Sequence, residues 1–208
     1  MASCDVDVLI DSMISIGKKA VESGLVLGSG GNISVRHPQR RNSFIVTKSG
    51  TWFDALTPDS FCEVELGCDG WPTGNPSSEW KLHERTYVAR PDINAVIHLH
   101  PQYAVLLSAI GKKIRFFTLD DALYVKSYGQ VPYAPNASDE LAESAAAAAQ
   151  QHNCVILEHH GCSCLGEDLA MAYRRACLLE QAAKNTYRAL LLGDTTSHFP
   201  EGVELIHK

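Results

Sequence analysis

Three short strand patterns follow one another between residues 33 and 66, so the first third of the chain is expected to build a sheet. Ile33–Arg36 alternates apolar and polar residues, as a strand with one buried face does. Phe44–Thr47 and Cys62–Leu66 have strand-like composition, and turn residues follow each of them. Strands that are consecutive in sequence usually pair with each other. A β-meander is therefore predicted for this region.

Helical spacing of apolar residues appears before and after the meander. The predicted helices are Val6–Ser23, Ser77–Arg90 with Ser77 as N-cap, Pro101–Ala109, Ser138–His152, and Ala170–Leu192 ended by Gly193. Further strands are predicted at Ala95–His100, Ile114–Phe117, Val131–Tyr133 and Cys154–Leu157. No repeat and no linker divides the 208 residues. One α/β domain spanning residues 1–208 is expected.

Composition and charge exclude several classes of protein. The chain is 45% hydrophobic and 20% charged, which is globular and not disordered. Its formal charge of −6 disfavours binding to nucleic acid or to an anionic membrane. Asp5, Asp7 and Asp11 stand where a secretory signal would be basic, and no apolar run is long enough to span a bilayer. Seven cysteines without a framework spacing suit a reducing compartment, so a cytoplasmic location is expected.

Histidines at two predicted strand ends indicate a metal site. His98 and His100 alternate along a strand, so both imidazoles face the same side. The apolar strand before Glu158 ends next to His159 and His160, one of which is able to supply a third imidazole. Three neutral imidazoles leave a divalent ion an open position, as in catalytic metal sites.

Three loop segments carry the donor types that hold a phosphate. These are Gly28–Asn32, Ser49-Gly50 and Ser77-Ser78, which offer backbone N–H groups, hydroxyl groups and the Asn32 amide. Each segment alone is equally consistent with an ordinary turn or a helix cap. If they converge, a small phosphate ester is the expected ligand, because the glycines lack the context of a nucleotide-binding loop.

Glu79 follows the two serines, in the first turn of a predicted helix. An acid at this position often only stabilises the helix dipole. If Ser77 and Ser78 bind the phosphate of a substrate, the Glu79 carboxylate would lie beside the rest of that substrate. It would then be placed to act as a general acid and base.

Other polar residues are interpreted as structural. Cys162 and Cys164 are expected to pack as small apolar residues in a strand. His83 lies four residues after Glu79 on one helical face, and we interpret it as a core or cap residue. No role is assigned to the remaining histidines, His37, His152, His198 and His207.

Five motifs together resemble the class II aldolase and adducin-like family. They are GSGGNISVR at 28–36, TKSG at 47–50, SSEW at 77–80, HLHP at 98–101 and EHHG at 158–161. The resemblance extends from about Val6 to Gly193. It implies a three-layer α/β/α sandwich around a mostly antiparallel sheet, a bound zinc ion or another divalent metal, and a homotetramer with active sites between subunits.

The resemblance also implies roles for individual residues. His98, His100 and His160 would be the metal ligands, with His160 chosen because the family's ligand directly precedes the glycine. Glu79 would be the catalytic acid and base. The phosphate site would be lined by Asn32, Ser49, Gly50, Ser77 and Ser78. The implied reaction is the reversible cleavage of a ketose 1-phosphate to dihydroxyacetone phosphate and an aldehyde.

One feature departs from the family's pattern. The tyrosines that serve proton transfer in the aldolases are not matched, since the middle segment reads FFTLDDALY and no tyrosine follows Tyr187. Asp120, Asp121 and Tyr124 are the candidate proton donors, while two adjacent acids also suit a solvated turn. Alternative functions on the same scaffold are a sugar-phosphate decarboxylase, epimerase or dehydratase. A non-catalytic adducin-like interaction domain is the remaining alternative, and it should have lost the histidines.

Overall fold

The computed structural model describes residues 2–200 and residue 202, so His207 lies outside the described part of the chain. Within it, the helices are α1 (Ala2–Glu22), α2 (Trp80–Ala89), α3 (Gln102–Ala109), α4 (Asp139–Ala149) and α5 (Leu169–Leu191). The strands are β1 (Asn32–Arg36), β2 (Ser43–Thr47), β3 (Phe61–Glu65), β4 (Ala95–Leu99), β5 (Gly129–Val131), β6 (Cys154–Leu157) and β7 (Gly161–Gly166). None of these helices has the length and apolar character needed to cross a membrane.

All seven strands belong to one sheet, in the order β3-β2-β1-β4-β7-β6-β5. Neighbouring strands run antiparallel, except for β5 and β6, which are parallel. The first three strands lie side by side, which confirms the predicted meander. Strand β4, which carries His98, lies at the centre of the sheet.

Helices cover both faces of the sheet. Along β4, Ala95, Ile97 and Leu99 belong to a core cluster that includes residues of α1, α3 and α5. Val96 belongs to the cluster on the opposite face, which includes residues of α2 and α4. Successive side chains of a strand point to opposite faces, so one short strand contributes to both cores. The three-layer α/β/α architecture is thereby confirmed.

One predicted strand is absent and another is displaced. Ile114–Phe117 is not a strand, because its backbone donors are bound by side chains instead of by a neighbouring strand. The N–H of Ile114 donates to the Tyr128 hydroxyl, and the N–H of Arg115 donates to Thr186 Oγ1. The strand predicted at Val131–Tyr133 is shifted by two residues toward the N-terminus and forms β5, Gly129–Val131. The five predicted helices are confirmed with ends that differ by a few residues.

Two adjacent acids differ in their surroundings, contrary to the solvated turn considered for them. Asp120 is exposed, but Asp121 is completely buried at the start of a single wide helical turn, Asp121–Val125. The Oδ2 atom of Asp121 accepts hydrogen bonds from the backbone N–H groups of Phe117 and Thr118. The interpretation as a solvated turn is therefore wrong for Asp121, which holds the preceding loop in place.

The substitution Asp121→Ala should lower the free energy of unfolding by about 1–3 kcal/mol, because two backbone donors lose their acceptor. The exposed neighbour provides a matched control, and Asp120→Ala should change stability by no more than about 0.5 kcal/mol. Urea unfolding of both variants measures the difference. Equal stability of the two variants would contradict the structural role of Asp121.

Candidate active site

The register of the central strands places two imidazoles together. His98 lies in β4 opposite Asn32 of β1, and its side chain is fully buried. His100 follows the end of β4, two residues later, and therefore points to the same side. The Nε2 atoms of His98 and His100 are 3.0 Å apart. The pair predicted from the sequence is thus brought into contact.

The third imidazole comes from the hairpin between β6 and β7. His159 occupies the left-handed region with φ 59°, which turns the chain, and its side chain is exposed. The N–H of His160 donates to Leu157 O. The His160 ring then lies beside His98 and His100, with ring centroids 4.9 and 5.1 Å away. Of the two candidates, His160 joins the cluster.

Glu79, at the start of α2, completes the group. It is the N-cap of α2, and its N–H donates to Ser77 Oγ, so the helix begins later than a Ser77 cap predicted. One carboxylate oxygen lies 3.0 Å from His98 Nε2, and the other lies 3.3 Å from His160 Nε2. Glu79 is only 6% exposed.

Electrostatics keep this group in a metal-binding form. Burial alone raises the pKa of Glu79. The combined effect of His98, His160 and the Asn32 amide lowers it by more, so the net pKa lies well below its ordinary value. Burial lowers the pKa of His100 to about 4, helped by His98 and His160, and it also lowers the pKa of His160. A carboxylate therefore lies beside two imidazoles, His100 and His160, whose neutral form is favoured by burial.

The donor set fits a divalent ion. One ligand atom from each of Glu79, His98, His100 and His160 lies within 4.8 Å of the others. The Oε1 atom of Glu79 is buried and accepts no hydrogen bond. Buried polar atoms normally have partners, so a cation among these atoms would resolve the deficit. Three imidazoles with a carboxylate nearby are typical of zinc and related transition metals.

Two glycines allow the backbone to approach the imidazoles. A Cβ atom on Gly161 would lie 2.3 Å from Leu99 O and 2.6 Å from His100 Cδ2. A Cβ atom on Gly31 would lie 2.6 Å from His98 O, and the φ of Gly31 is 92°. Part of the glycine-rich loop therefore serves close packing against the histidines, in addition to any anion binding.

A polar cavity of about 170 Å³ opens beside the cluster. Its lining includes every predicted phosphate-site residue, namely Asn32, Ser49, Gly50, Ser77 and Ser78, together with Glu79, His100 and His160. The separated loops thus converge on one space. Lys48, Thr51 and Asn136 also line it and were missed from the sequence. Lys48 stands within the TKSG motif, whereas Asn136 lies in a loop without a motif.

The candidate proton donors lie elsewhere in this chain. Asp120, Asp121 and Tyr124 are not among the described residues that line the cavity. The backbone carbonyl of Tyr124 accepts a hydrogen bond from Arg175 Nε, and the Arg174 guanidinium lies 4.6 Å from the centre of the Tyr124 ring. Their role in proton transfer stays a prediction.

The substitution Gly161→Ala should lower both the melting temperature and the amount of bound divalent metal, because its methyl group would displace Leu99 and His100. Overpacking of this kind costs about 1–3 kcal/mol. Thermal unfolding and metal analysis of the purified variant measure the two effects.

Gly111→Ala is the control, since Gly111 has φ 68° and a methyl group there would meet no atom within 4 Å. It should cost about 1 kcal/mol through its left-handed backbone and leave metal binding intact. Full metal content in Gly161→Ala would contradict the packing role of Gly161.

Known proteins resemble this chain over most of its length. An L-fuculose phosphate aldolase of Methanocaldococcus jannaschii is 37% identical over 180 residues, which cover 86% of this chain and 96% of that protein. A 5-methylthioribulose-1-phosphate/5-deoxyribulose-1-phosphate aldolase of Rhodospirillum rubrum is 28% identical over 183 residues, covering 88% and 81%. The crystal structure of an L-fuculose-1-phosphate aldolase from Thermus thermophilus matches with a TM-score of 0.79 and 29% identity, over 91% of this chain and 98% of that chain.

A family model leads to the same group of proteins. The model described as Class II Aldolase and Adducin N-terminal domain matches residues 11–187. This range contains all five sequence motifs, the three imidazoles and Glu79. The chain therefore belongs to the class II aldolase and adducin family.

Proposed function

We propose that this protein is a zinc-dependent aldolase that cleaves a ketose 1-phosphate reversibly to dihydroxyacetone phosphate and an aldehyde. The observation that carries the proposal is the contact between a three-imidazole cluster, a buried carboxylate and a polar cavity. The relatives are named as aldolases of L-fuculose phosphate and of two other ketose 1-phosphates. A substrate of the same class is proposed here.

His98, His100 and His160 would hold the metal through their Nε2 atoms. A divalent ion supplies Lewis-acid stabilisation of the negative charge that develops on the carbonyl oxygen. The protein's own contribution is to favour the neutral form of His100 and His160 by burial and to fix the three imidazoles at the end of β4 and in the hairpin between β6 and β7. Imidazole sites accept several divalent ions, and zinc is the one proposed.

The cavity supplies donors for the substrate phosphate. Ser49, Ser77 and Ser78 offer hydroxyl groups, and Gly50 offers a backbone N–H without a side chain in the way. Lys48 adds a positive charge. Its Nζ atom donates one hydrogen bond to Asp59 O and is able to donate two more to a phosphate. Anchoring the phosphate fixes the distance between the reacting carbons and Glu79.

Glu79 would move the proton at carbon. In the condensation direction, its carboxylate removes a proton from the hydroxymethyl carbon next to the carbonyl of dihydroxyacetone phosphate. In cleavage, the Glu79 carboxyl group starts protonated and delivers its proton to the same carbon after the carbon–carbon bond has broken. The low pKa of Glu79 suits the ionised form from which condensation starts. The Asn32 amide donates to one of its oxygens at 3.2 Å.

A second proton leaves the hydroxyl group of the substrate that becomes the aldehyde oxygen. We propose that the protein is a homotetramer located in the cytoplasm. Asp120, Asp121 or Tyr124 of a neighbouring subunit would accept this proton in cleavage and donate it in condensation. Support for this part comes from the resemblance to the family and from the position of these residues away from their own chain's cavity. Asp121 fits least well, because two backbone N–H groups bind its carboxylate.

Purified protein should contain one zinc ion per chain and release dihydroxyacetone phosphate from at least one member of a ketose 1-phosphate panel. Glu79→Gln should retain the metal and lose at least about 100-fold in kcat, as expected when a general base is removed. His98→Ala should lose both the metal and the activity. His159→Ala is the matched control, because its side chain is exposed outside the cluster.

Each other outcome identifies a different function. Zinc without release of dihydroxyacetone phosphate would replace the aldolase by a decarboxylase, an epimerase or a dehydratase, which product analysis distinguishes. Protein without stoichiometric divalent metal would favour the non-catalytic adducin-like domain. Full activity of Glu79→Gln would remove Glu79 from the mechanism.

The substitution Lys48→Met should raise the KM for the phosphorylated substrate by about 10- to 100-fold, because one charge-assisted hydrogen bond is worth about 1.5–3 kcal/mol. The kcat should change little, since Lys48 is remote from the proton at carbon. Lys81→Met is the control, because Lys81 pairs with Asp139 and does not line the cavity. An unchanged KM in Lys48→Met would exclude Lys48 from phosphate binding.

A further inference from the structure

A continuous chain of buried polar side chains runs from Glu79 into the layer between the sheet and α2. Asn32 Nδ2 donates to Glu79 Oε2 at 3.2 Å, and Asn32 Oδ1 is in hydrogen-bond contact with His83 Nε2. The other ring nitrogen of His83 lies 2.6 Å from Ser34 Oγ. Ser34 Oγ in turn lies 2.8 Å from the Tyr87 hydroxyl. The chain therefore has five members and four links.

Every member of the chain is shielded from water. His83 and Ser34 are fully buried, Tyr87 is 1% exposed, and Asn32 is 3% exposed. Asn32 and Ser34 lie two residues apart in β1, and His83 and Tyr87 lie four apart in α2. Side chains at these spacings share one face of a strand and one face of a helix. The packing of α2 against β1 thus lines up four polar side chains behind the Glu79 carboxylate.

The carboxylate fixes the direction of all the hydrogen bonds. A carboxylate only accepts, so the Asn32 amide must direct its NH2 group toward Glu79 and its carbonyl toward His83. His83 Nε2 must then carry the proton, and Nδ1 must accept from the Ser34 hydroxyl. Ser34 then accepts from the Tyr87 hydroxyl.

Burial keeps this direction from reversing by ionisation. It lowers the pKa of His83 to about 3, with a further lowering by His98, so the imidazole is neutral. It also raises the pKa of Tyr87 above its ordinary value, so the hydroxyl keeps its proton. The titratable groups facing His83 are Tyr87, Glu79 and His98, and none of them supplies a proton to its Nδ1 atom.

We propose, on the basis of the acid–base role proposed for Glu79, that His83 is a positioning residue for catalysis. Through Asn32, the Tyr87–Ser34–His83 chain holds Glu79 Oε2 in a fixed orientation and leaves Oε1, which has no hydrogen-bond donor, available to the metal or to the reacting carbon. Asn32 consequently serves Glu79 at least as directly as it serves the substrate phosphate. Without His83, the Asn32 carbonyl loses its donor, so the amide and the Glu79 oxygen that it holds are less firmly fixed.

A purely structural role is the competing explanation, because any buried hydrogen-bonded network contributes to stability. Thr86 provides a matched control within the same helix. It is 1% exposed, and its hydroxyl donates only to the carbonyl of Leu82, outside the chain. Thr86→Val therefore removes a buried hydroxyl without touching the path to Glu79.

The kinetic test compares His83→Phe, His83→Gln, Ser34→Ala and Thr86→Val in the metal-loaded protein. His83→Phe should lower kcat by about 10- to 100-fold at an unchanged KM, as expected when a side chain that orients a functional group is lost. His83→Gln should restore most of the kcat, because its amide NH2 is placed to donate to Asn32 Oδ1. Ser34→Ala should fall between the two, and Thr86→Val should keep the wild-type kcat.

The second test does not depend on turnover. In protein labelled with nitrogen-15 at histidine, the His83 signal, assigned by its loss in His83→Gln, should report a neutral ring protonated at Nε2. Ser34→Ala should shift the Nδ1 resonance of His83, whereas Thr86→Val should leave it in place.

A ring protonated at Nδ1 would overturn the proposal, as would a wild-type kcat in folded His83→Phe. So would an equal loss of kcat in His83→Phe and Thr86→Val at matched stability. If the wild-type protein releases no dihydroxyacetone phosphate, the aldolase proposal fails. The resonances of His83 then still decide whether the hydrogen bonds from Tyr87 to Glu79 exist. The kcat comparison is made on the reaction found by product analysis.

Discussion

The antiparallel pairing of β4 with β1 and β7 is the constraint on which the whole site depends. It sets Asn32 opposite His98 on one side and Ser163 opposite His98 on the other. A slip of one residue would turn His98 toward the opposite core and separate it from Glu79, because side chains alternate along a strand. The same register places the first residue of β7 so close to His100 that only glycine fits at position 161. The geometry of the Glu79 and histidine cluster and the pairing of the sheet are therefore parts of one structural requirement.

The two cores of the sandwich have different chemistry. The core beneath α1, α3 and α5 includes Cys154, Cys162 and Cys164, which pack as small apolar groups in the way that was predicted for the latter two. The core beneath α2 and α4 shares its space with His83 and the other polar groups that lead to Glu79. Buried polar groups are costly unless each finds a partner, which restricts how the side chains of His83, Ser34 and Tyr87 can be oriented in this core. Such a core is suited to hold a functional side chain in place.

Much of the fold and part of the site could be predicted from the sequence, because those features are local. The spacing of His98 and His100 follows from strand alternation, and the five helices follow from apolar periodicity. Periodicity does not choose between His159 and His160, because the choice depends on the left-handed backbone of His159; His160 was predicted from the resemblance to the family alone. The solvated-turn alternative failed for Asp121, because this acid is buried and accepts hydrogen bonds from two backbone N–H groups of the preceding loop, which adjacency in sequence does not reveal. Lys48 was overlooked beside the predicted Ser49-Gly50 segment, whereas Asn136 was missed because only the tertiary fold brings its loop to the cavity.

The chain from Tyr87 to Glu79 shows why long-range register and local chemistry must agree. Seen alone, His83 is a histidine on an apolar helix face, and its interpretation as a core residue is confirmed by its complete burial. What that interpretation omits is direction: a neutral imidazole has one donor and one acceptor, and a carboxylate at the end of a hydrogen-bonded chain determines which nitrogen is which. The side chain that packs in the core is thus also the one proposed to orient Glu79 through Asn32. The buried position that stabilises the fold is also what keeps the hydrogen bond to Asn32 pointing one way.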